Sequence, residues 1–133
     1  MIPPFDDNGF LPPGIHLATV DEIADRFGQE PEVRRAQMES IRWLVEIVQR
    51  AGIEKIVLNG SFVTDQYEPN DVDCVLLVDR TAELDRGAMD ELLIEGLPFL
   101  EINIVEQTEF DLLTQYFATD RFRSRKGMLE VIP

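Results

Sequence analysis

Two aspartates one residue apart, Asp71 and Asp73, enter the apolar run V-D-C-V-L-L-V at Val72–Val78. Side chains on a strand alternate faces, so the two acids point one way while Val72 and Cys74 point the other. Carboxylates held that close repel and raise the proton affinity of one of them, unless a cation neutralises the pair. Oxygen donors with no neighbouring histidine or usable thiolate suit Mg²⁺ or Mn²⁺ rather than zinc. Upstream, Gly60-Ser61 follows the short apolar run K-I-V-L-N at Lys55–Asn59. A glycine there lets a ligand approach the backbone without meeting a Cβ. The free N–H groups of a following turn, with the Ser61 hydroxyl, make a seat for phosphate. A phosphate seat beside a metal seat is what nucleotidyl transfer needs, with two ions about 3.5–4 Å apart. A third carboxylate normally completes such a site. Glu101, in L-E-I at Leu100–Ile102, is the best candidate. Asn103 projects to the same face as a weaker outer ligand, and Glu106, just past the strand, is the reserve.

Each residue also has a plainer reading. E-P-N-D at Glu68–Asp71 has the chemistry of a turn, which accounts for Asp71 but not for Asp73 inside the strand. Glu101 alone would be read as the polar side of an exposed sheet face; the aspartates tip it toward a ligand. In R-F-R-S-R-K, an extended chain would put Arg121, Arg123 and Arg125 on one face. A charge-protected edge strand is favoured there over a grip on phosphate, although Lys126 beside Gly127 is placed to reach one. Tyr67 lies in the connection between the two motifs, where its ring can stack on a base. Trp43 is expected to pack in the core, Arg34-Arg35 to face solvent, and His16 and Cys74 to be structural.

These residues need a scaffold that brings three strands together. Thr19 and Glu22 form a capping-box pattern before a helix ending at Gly28. A second helix is expected from about Pro31 to Arg50, with Ile41, Leu44, Val45 and Val48 as its buried stripe and Gly52 as its stop. Strands are expected at Lys55–Asn59, Val72–Val78 and Phe99–Val105, with a last one in the tail R-S-R-K-G-M-L-E-V-I. The segment after Gly60 reads as a helical turn or two. Thr81 is expected to cap a helix reaching Glu95, and Thr108 a short one to about Phe117. Residues 1–18, with Pro3, Pro4, Pro12 and Pro13, read as an irregular arm over the domain. Strands alternating with helices indicate a single α/β domain with one mixed central sheet flanked by helices.

Composition narrows the function classes. The chain of 133 residues is one domain's worth, and 44% hydrophobic with 29% charged residues is ordinary for a folded protein. No apolar run approaches the ~18 residues that span a bilayer, and the start lacks the pattern of a signal peptide, so a cytoplasmic protein is expected. Single Cys and His residues leave no internal disulfide and no Cys/His zinc cluster. A net charge of −14 argues against an extended nucleic-acid surface, while leaving room for a small anionic ligand bound through metal or a local basic cluster.

Gly60-Ser61 followed by Asp71-Val72-Asp73, with the later Leu100-Glu101-Ile102 step, resembles the signature of the polymerase-β-type nucleotidyltransferase superfamily. The expected helix and strand order over residues 31–117 is similar to that superfamily's minimal core. P-P-F-D-D-N-G-F-L-P-P-G-I-H and G-S-F-V-T-D-Q-Y-E-P-N-D-V-D resemble, more narrowly, a family of short bacterial proteins of this fold with unassigned function. The resemblance implies a nucleotidyltransferase-like fold and a nucleoside triphosphate bound with Mg (or Mn). Asp71, Asp73 and Glu101 would carry the metals, and Gly60, Ser61, Tyr67 and Lys126 would contact the nucleotide. It implies transfer of an NMP group to a hydroxyl of a protein, small-molecule or RNA-end acceptor. The alternative is a catalytically inactive binding or regulatory protein, in either case with a toxin–antitoxin or defence module as a context. Two departures stand out: the third acid is Glu rather than the commoner Asp, and the helical domain of larger members is missing. Small size and that missing domain point to a homodimer or a partner protein.

Overall fold

Thr19 opens the first helix by reciprocal bonds. Its hydroxyl accepts from Glu22 N–H at 3.1 Å, and Glu22 Oε1 accepts from Thr19 N–H at 3.0 Å. The helix, α1, spans Val20–Phe27 and buries Ile23, Ala24 and Phe27. The computed structural model describes residues 1–79, 81–119 and 125–132. Helix α2 spans Glu32–Ala51, and Gly52, at φ +85°, closes it in the left-handed conformation a glycine adopts without strain. Strand β2 is Lys55–Asn59, followed by a single 3₁₀ turn at Ser61–Val63, and β3 is Val72–Leu77. Helix α3, Arg86–Asp90, runs on as a π turn over Glu91–Glu95. Strand β4, Leu100–Val105, leads into α4, Gln107–Phe117, and the last strand is β5, Gly127–Ile132.

The arm expected to be irregular contributes a strand. Gly14–Thr19 forms β1, which pairs in parallel with β5 from Gly14↔Gly127 to Thr19↔Ile132. Its ladder partner lies more than a hundred residues away along the chain, so no local pattern announces it. The rest of the arm does lie over the domain: Phe10 bridges Thr64, and Asp65 N–H donates to Gly9 O at 3.0 Å. The third helix starts later than expected. Asp85, not Thr81, is its cap, accepting from Ala88 N–H at 2.8 Å, while Thr81 is turned back onto Asp79. Helix α4 likewise starts ahead of Thr108, at Gln107.

The sheet is mixed, in the order β1-β5-β2-β3-β4. Strand β2 runs antiparallel to both β5 and β3, while β3 and β4 are parallel. One face is covered by α1, α2 and α3: Ile56, Leu58, Val72, Cys74, Leu76, Leu129 and Val131 pack with Ile23, Ile41, Leu44, Val48 and Ala88. On the other face Val57, Val75, Leu77, Val105 and Met128 pack with Phe110 of α4. Strand alternation extends that second face to Asn59, Asp73 and Glu101 at one end of the sheet. Among the described residues, no helix is long and apolar enough to cross a membrane.

Candidate functional site

Register sets the site. Asn59 pairs with Asp73 across β2 and β3, and Asp73 pairs with Glu101 across β3 and β4. Paired residues project to one face, so these three side chains form a row across three adjacent strands. The row runs from buried to open: Asn59 is fully buried, Asp73 half-buried and Glu101 exposed. Glu101 acts on the Asp73 carboxyl both as a hydrogen-bond partner while a proton is shared between them and as a like charge. Burial, then that bond and the Glu101 charge, push Asp73 from 3.8 up to about 6; Lys126 draws it back, and Asp71 adds a smaller upward push. Lys126 thus lies within electrostatic range of the pair, two residues before Met128, and is tied down by its N–H donating to Ala118 O at 2.9 Å.

Gly60 is required where it stands. Its φ is +82°, and a Cβ there would overlap the Asp73 carboxylate. The Gly60-Ser61 turn is therefore laid directly against the acidic pair. Ser61 is half-buried at the head of the 3₁₀ turn, where leading N–H groups have no intrahelical partners.

Arg34 holds this turn in place, contrary to the expectation that it faces solvent. It is 5% exposed and donates to the carbonyls of Phe27 at 3.2 Å, Phe62 at 2.7 Å, Thr64 at 2.9 Å and Gln66. Its guanidinium lies 5.3 Å from the centre of the Phe62 ring. Burial pulls the Arg34 pKa down, and the Asp65 charge opposes that. The sequence carries a signal for this: Arg34 is seven residues before Ile41, in phase with the buried stripe of α2, and Arg35 is not. Arg35 is exposed and donates to Gln29 O at 2.9 Å.

The structure thus brings together Gly60, Ser61, Asp73, Glu101 and Lys126, with Asp71 exposed at the strand's entrance and close enough for its charge to act on Asp73. Asn103 lies one pleat further in, beside Val75. Glu106, the reserve acid, does not belong here. It follows Val105 at the opposite end of β4, where it lines a hollow of about 490 Å³ with Glu54 and Asp79. Tyr67 is 68% exposed on the connection between the two motifs, and among the described residues no contact ties its ring to the acidic row. Trp43, expected in the core, is 61% exposed and lines a groove with Pro98 and Phe99 on the α2 side. His16 is structural, its Nε2 lying 2.7 Å from Pro12 O, and Cys74 is buried with its thiol pushed strongly upward by burial. Of the arginine run, Arg121 and Arg123 lie outside the described residues, and Arg125 is exposed and bridged to Thr119.

A cation's fit to these residues is partial. Asp73 beside Glu101, with the raised proton affinity of Asp73, is the electrostatic setting that a divalent ion relieves. Among the described residues, however, no group of three or more His, Cys, Asp or Glu side chains converges as a ready ligand set. Asn59 is the residue that sequence reasoning passed over. Its spacing from Val57 puts it on the acidic face, but only the β2–β3 register sets it opposite Asp73.

The chain matches the family of unknown function DUF6932 over residues 3–132 and belongs to that family. No curated protein and no solved structure matches it.

Proposed function

We propose that this member of the DUF6932 family is a metal-dependent nucleotidyltransferase. The observation that supports the reading most is the placement of Gly60-Ser61 against an in-register Asp73–Glu101 carboxyl pair, with Lys126 in range. The order of motifs along the chain, read by its resemblance to the polymerase-β-type superfamily, supports it independently. In the proposed reaction a hydroxyl oxygen of the acceptor bonds to the α-phosphorus of a nucleoside triphosphate. The bond from that phosphorus to the bridging oxygen breaks, pyrophosphate leaves in line, and the hydroxyl proton passes to a base.

Asp73, Asp71 and Glu101 would hold Mg²⁺ or Mn²⁺, which supplies charge neutralisation at the α-phosphate and a more acidic attacking hydroxyl. Glu101, exposed on the outer strand β4, orients that hydroxyl and takes its proton. Gly60, by lacking a Cβ, lets the turn lie against Asp73, and Ser61 with its neighbouring amides binds the outer phosphates. Lys126 offers a point charge to the same phosphates. Arg34 keeps the Phe62–Gln66 carbonyls fixed, so the turn does not rearrange when charge moves. The acidic surface favours a protein, small-molecule or RNA-end acceptor over a long nucleic acid.

One observation favours a second reading, a binding or regulatory protein that holds nucleotide without transferring it: the three carboxylates do not converge as a preformed set. Thermal unfolding with Mg²⁺ and each of the four common nucleoside triphosphates tests nucleotide binding. Ligand at about 100 times its Kd stabilises a fold by about 2.7 kcal/mol. The wild type should gain that with one triphosphate, and an Asp71→Asn, Asp73→Asn double variant should not. Incubation with that triphosphate labelled at the α-phosphate then decides between the readings: label on an acceptor supports transfer, and binding without transfer supports the second.

A further inference from the structure

Asn59 is fully buried, and neither its Oδ1 nor its Nδ2 has a hydrogen-bond partner. A buried primary amide with both ends unpaired costs about 1–3 kcal/mol per unmade bond, and folded proteins rarely keep one without a use. Its neighbours rule out several plain explanations. Val57 and Leu58 before it are apolar and buried, so a third apolar residue would continue the strand. It caps no helix, since the 3₁₀ turn that follows takes no side-chain cap. It does not brace Asp73 either, although it stands directly opposite.

Across the ladders from this amide stand Asp73, its register partner, and then Glu101, the register partner of Asp73. The amide oxygen of asparagine is a hard, neutral ligand of the kind Mg²⁺ and Mn²⁺ accept. Side chains directly opposite on paired strands have Cβ atoms about 4.5–5.5 Å apart. Asn59 and Glu101, at the ends of the row, are separated by two inter-strand spacings, about 9.5 Å at the backbone. An asparagine and a glutamate both reaching in over Asp73 would span such a gap around one ion, with metal–oxygen bonds of about 2.0–2.1 Å. From these relationships we infer that Asn59 supplies, through Oδ1, a neutral protein ligand of a divalent-cation site that it shares with Asp73 and Glu101, beside the Asp71 carboxylate at the strand's entrance. The site uses one side chain from each of β2, β3 and β4. Its neutral ligand lies in the buried end and its charged ligands toward solvent, so the inner oxygen is in place before the ion enters. Asn59 Nδ2–H₂ is then left to donate to an oxygen of whatever anion accompanies the ion. The inference rests on the nucleotidyltransferase reading for its biological use, but the site itself does not require nucleotide.

Titration of the full chain with Mn²⁺ alone, followed by the paramagnetic resonance of free Mn²⁺, tests it. Three variants are compared with wild type: Asn59→Leu, Asn59→Asp and Asp73→Asn. Asn59→Leu removes the donor and retains volume, and should weaken Mn²⁺ at least 10-fold while leaving the thermal midpoint unchanged or higher. Asn59→Asp adds a charged oxygen in the same place and should tighten Mn²⁺ about 10-fold, which also guards against a fold defect in the leucine variant. Asp73→Asn should abolish binding. If Mn²⁺ binds wild type and is lost in Asp73→Asn, yet both Asn59 variants bind like wild type, Asn59 is not a ligand and the inference fails while the nucleotidyltransferase reading stands. If wild type binds Mn²⁺ neither alone nor with nucleoside triphosphates, both fail.

Discussion

Asp73 and Glu101 are register partners across the β3–β4 ladder, where Glu101 raises the proton affinity of Asp73, and the Gly60 backbone is packed against Asp73 from the other side. Two acids in register on a parallel pair are destabilising unless a proton or a cation lies between them. The apo fold therefore carries a repulsion that ligand binding can release.

That repulsion has a pH signature. Asp73 is raised from 3.8 to about 6, so the folded chain holds a proton that the unfolded chain releases earlier. Below about pH 4 both states are protonated and the group contributes nothing. As pH rises from about 4 to 6 the unfolded state loses the proton first, and the fold is progressively penalised, fully so above about 6. Asp73→Asn removes the penalty and can still hydrogen-bond Glu101. With screening by solvent it should be more stable than wild type by about 1–2 kcal/mol at pH 7 and no more stable at pH 3.5. Denaturant melts at the two pH values check this. Equal gaps at both would show that Asp73 does not carry the strain.

Gly60 makes a second, purely steric prediction. At φ +82° an L-residue is strained, and the methyl of Gly60→Ala would also displace the Asp73 carboxylate. The loss should be about 2–4 kcal/mol at pH 7. Gly96 shares a positive φ but has nothing near its missing Cβ. Gly96→Ala should therefore cost only the backbone term, about 1–3 kcal/mol, and less than Gly60→Ala. Urea midpoints for the two variants separate the clash from the strain.

How much of this was legible along the chain depends on how local each feature is. The Thr19–Glu22 box, the Gly52 stop and the apolar runs that became β2, β3 and β4 depend on neighbours a few residues away, and their patterns sufficed. Alternation also placed Asp73 and Glu101 on the faces where the structure has them. What escaped depends on pairing between distant segments. Strand β1 is hidden among prolines because β5, not its own sequence, makes it a strand. Arg34 is in phase with the buried stripe of α2, but the carbonyls of residues 62, 64 and 66 that make burial of its charge tolerable come from a distant segment. Asn59 looked like the polar end of a short strand, and only the antiparallel register sets it opposite Asp73.

Arg34 should be the least replaceable of the polar residues around the site. Arg34→Met keeps an apolar stem but strands buried carbonyls, at a cost of about 3–5 kcal/mol. Arg34→Lys retains the charge without the fork that serves four acceptors, and should recover less than half of the loss. Hydrogen exchange should show the effect concentrated in residues 61–67, with β5 protected as before. Uniform loss of protection would mean that Arg34 supports the whole core rather than the turn.

Lys126 acts on Asp73 as a cation already within the protein, so its removal should separate metal binding from phosphate binding. Without the ammonium, the carboxyl pair presents more negative charge to an incoming ion. Lys126→Met should therefore bind Mn²⁺ alone about 3- to 10-fold more tightly. A triphosphate that uses the same ammonium as a partner loses that charge, so Mg²⁺-nucleotide should bind about 10-fold more weakly. Calorimetric titrations of the ion alone and of the ion with nucleotide read the two effects separately. Opposite signs are the mark of a lysine poised between the carboxylates and a phosphate. If both affinities fall together, Lys126 serves the fold around Gly127 and does not contact the ligand.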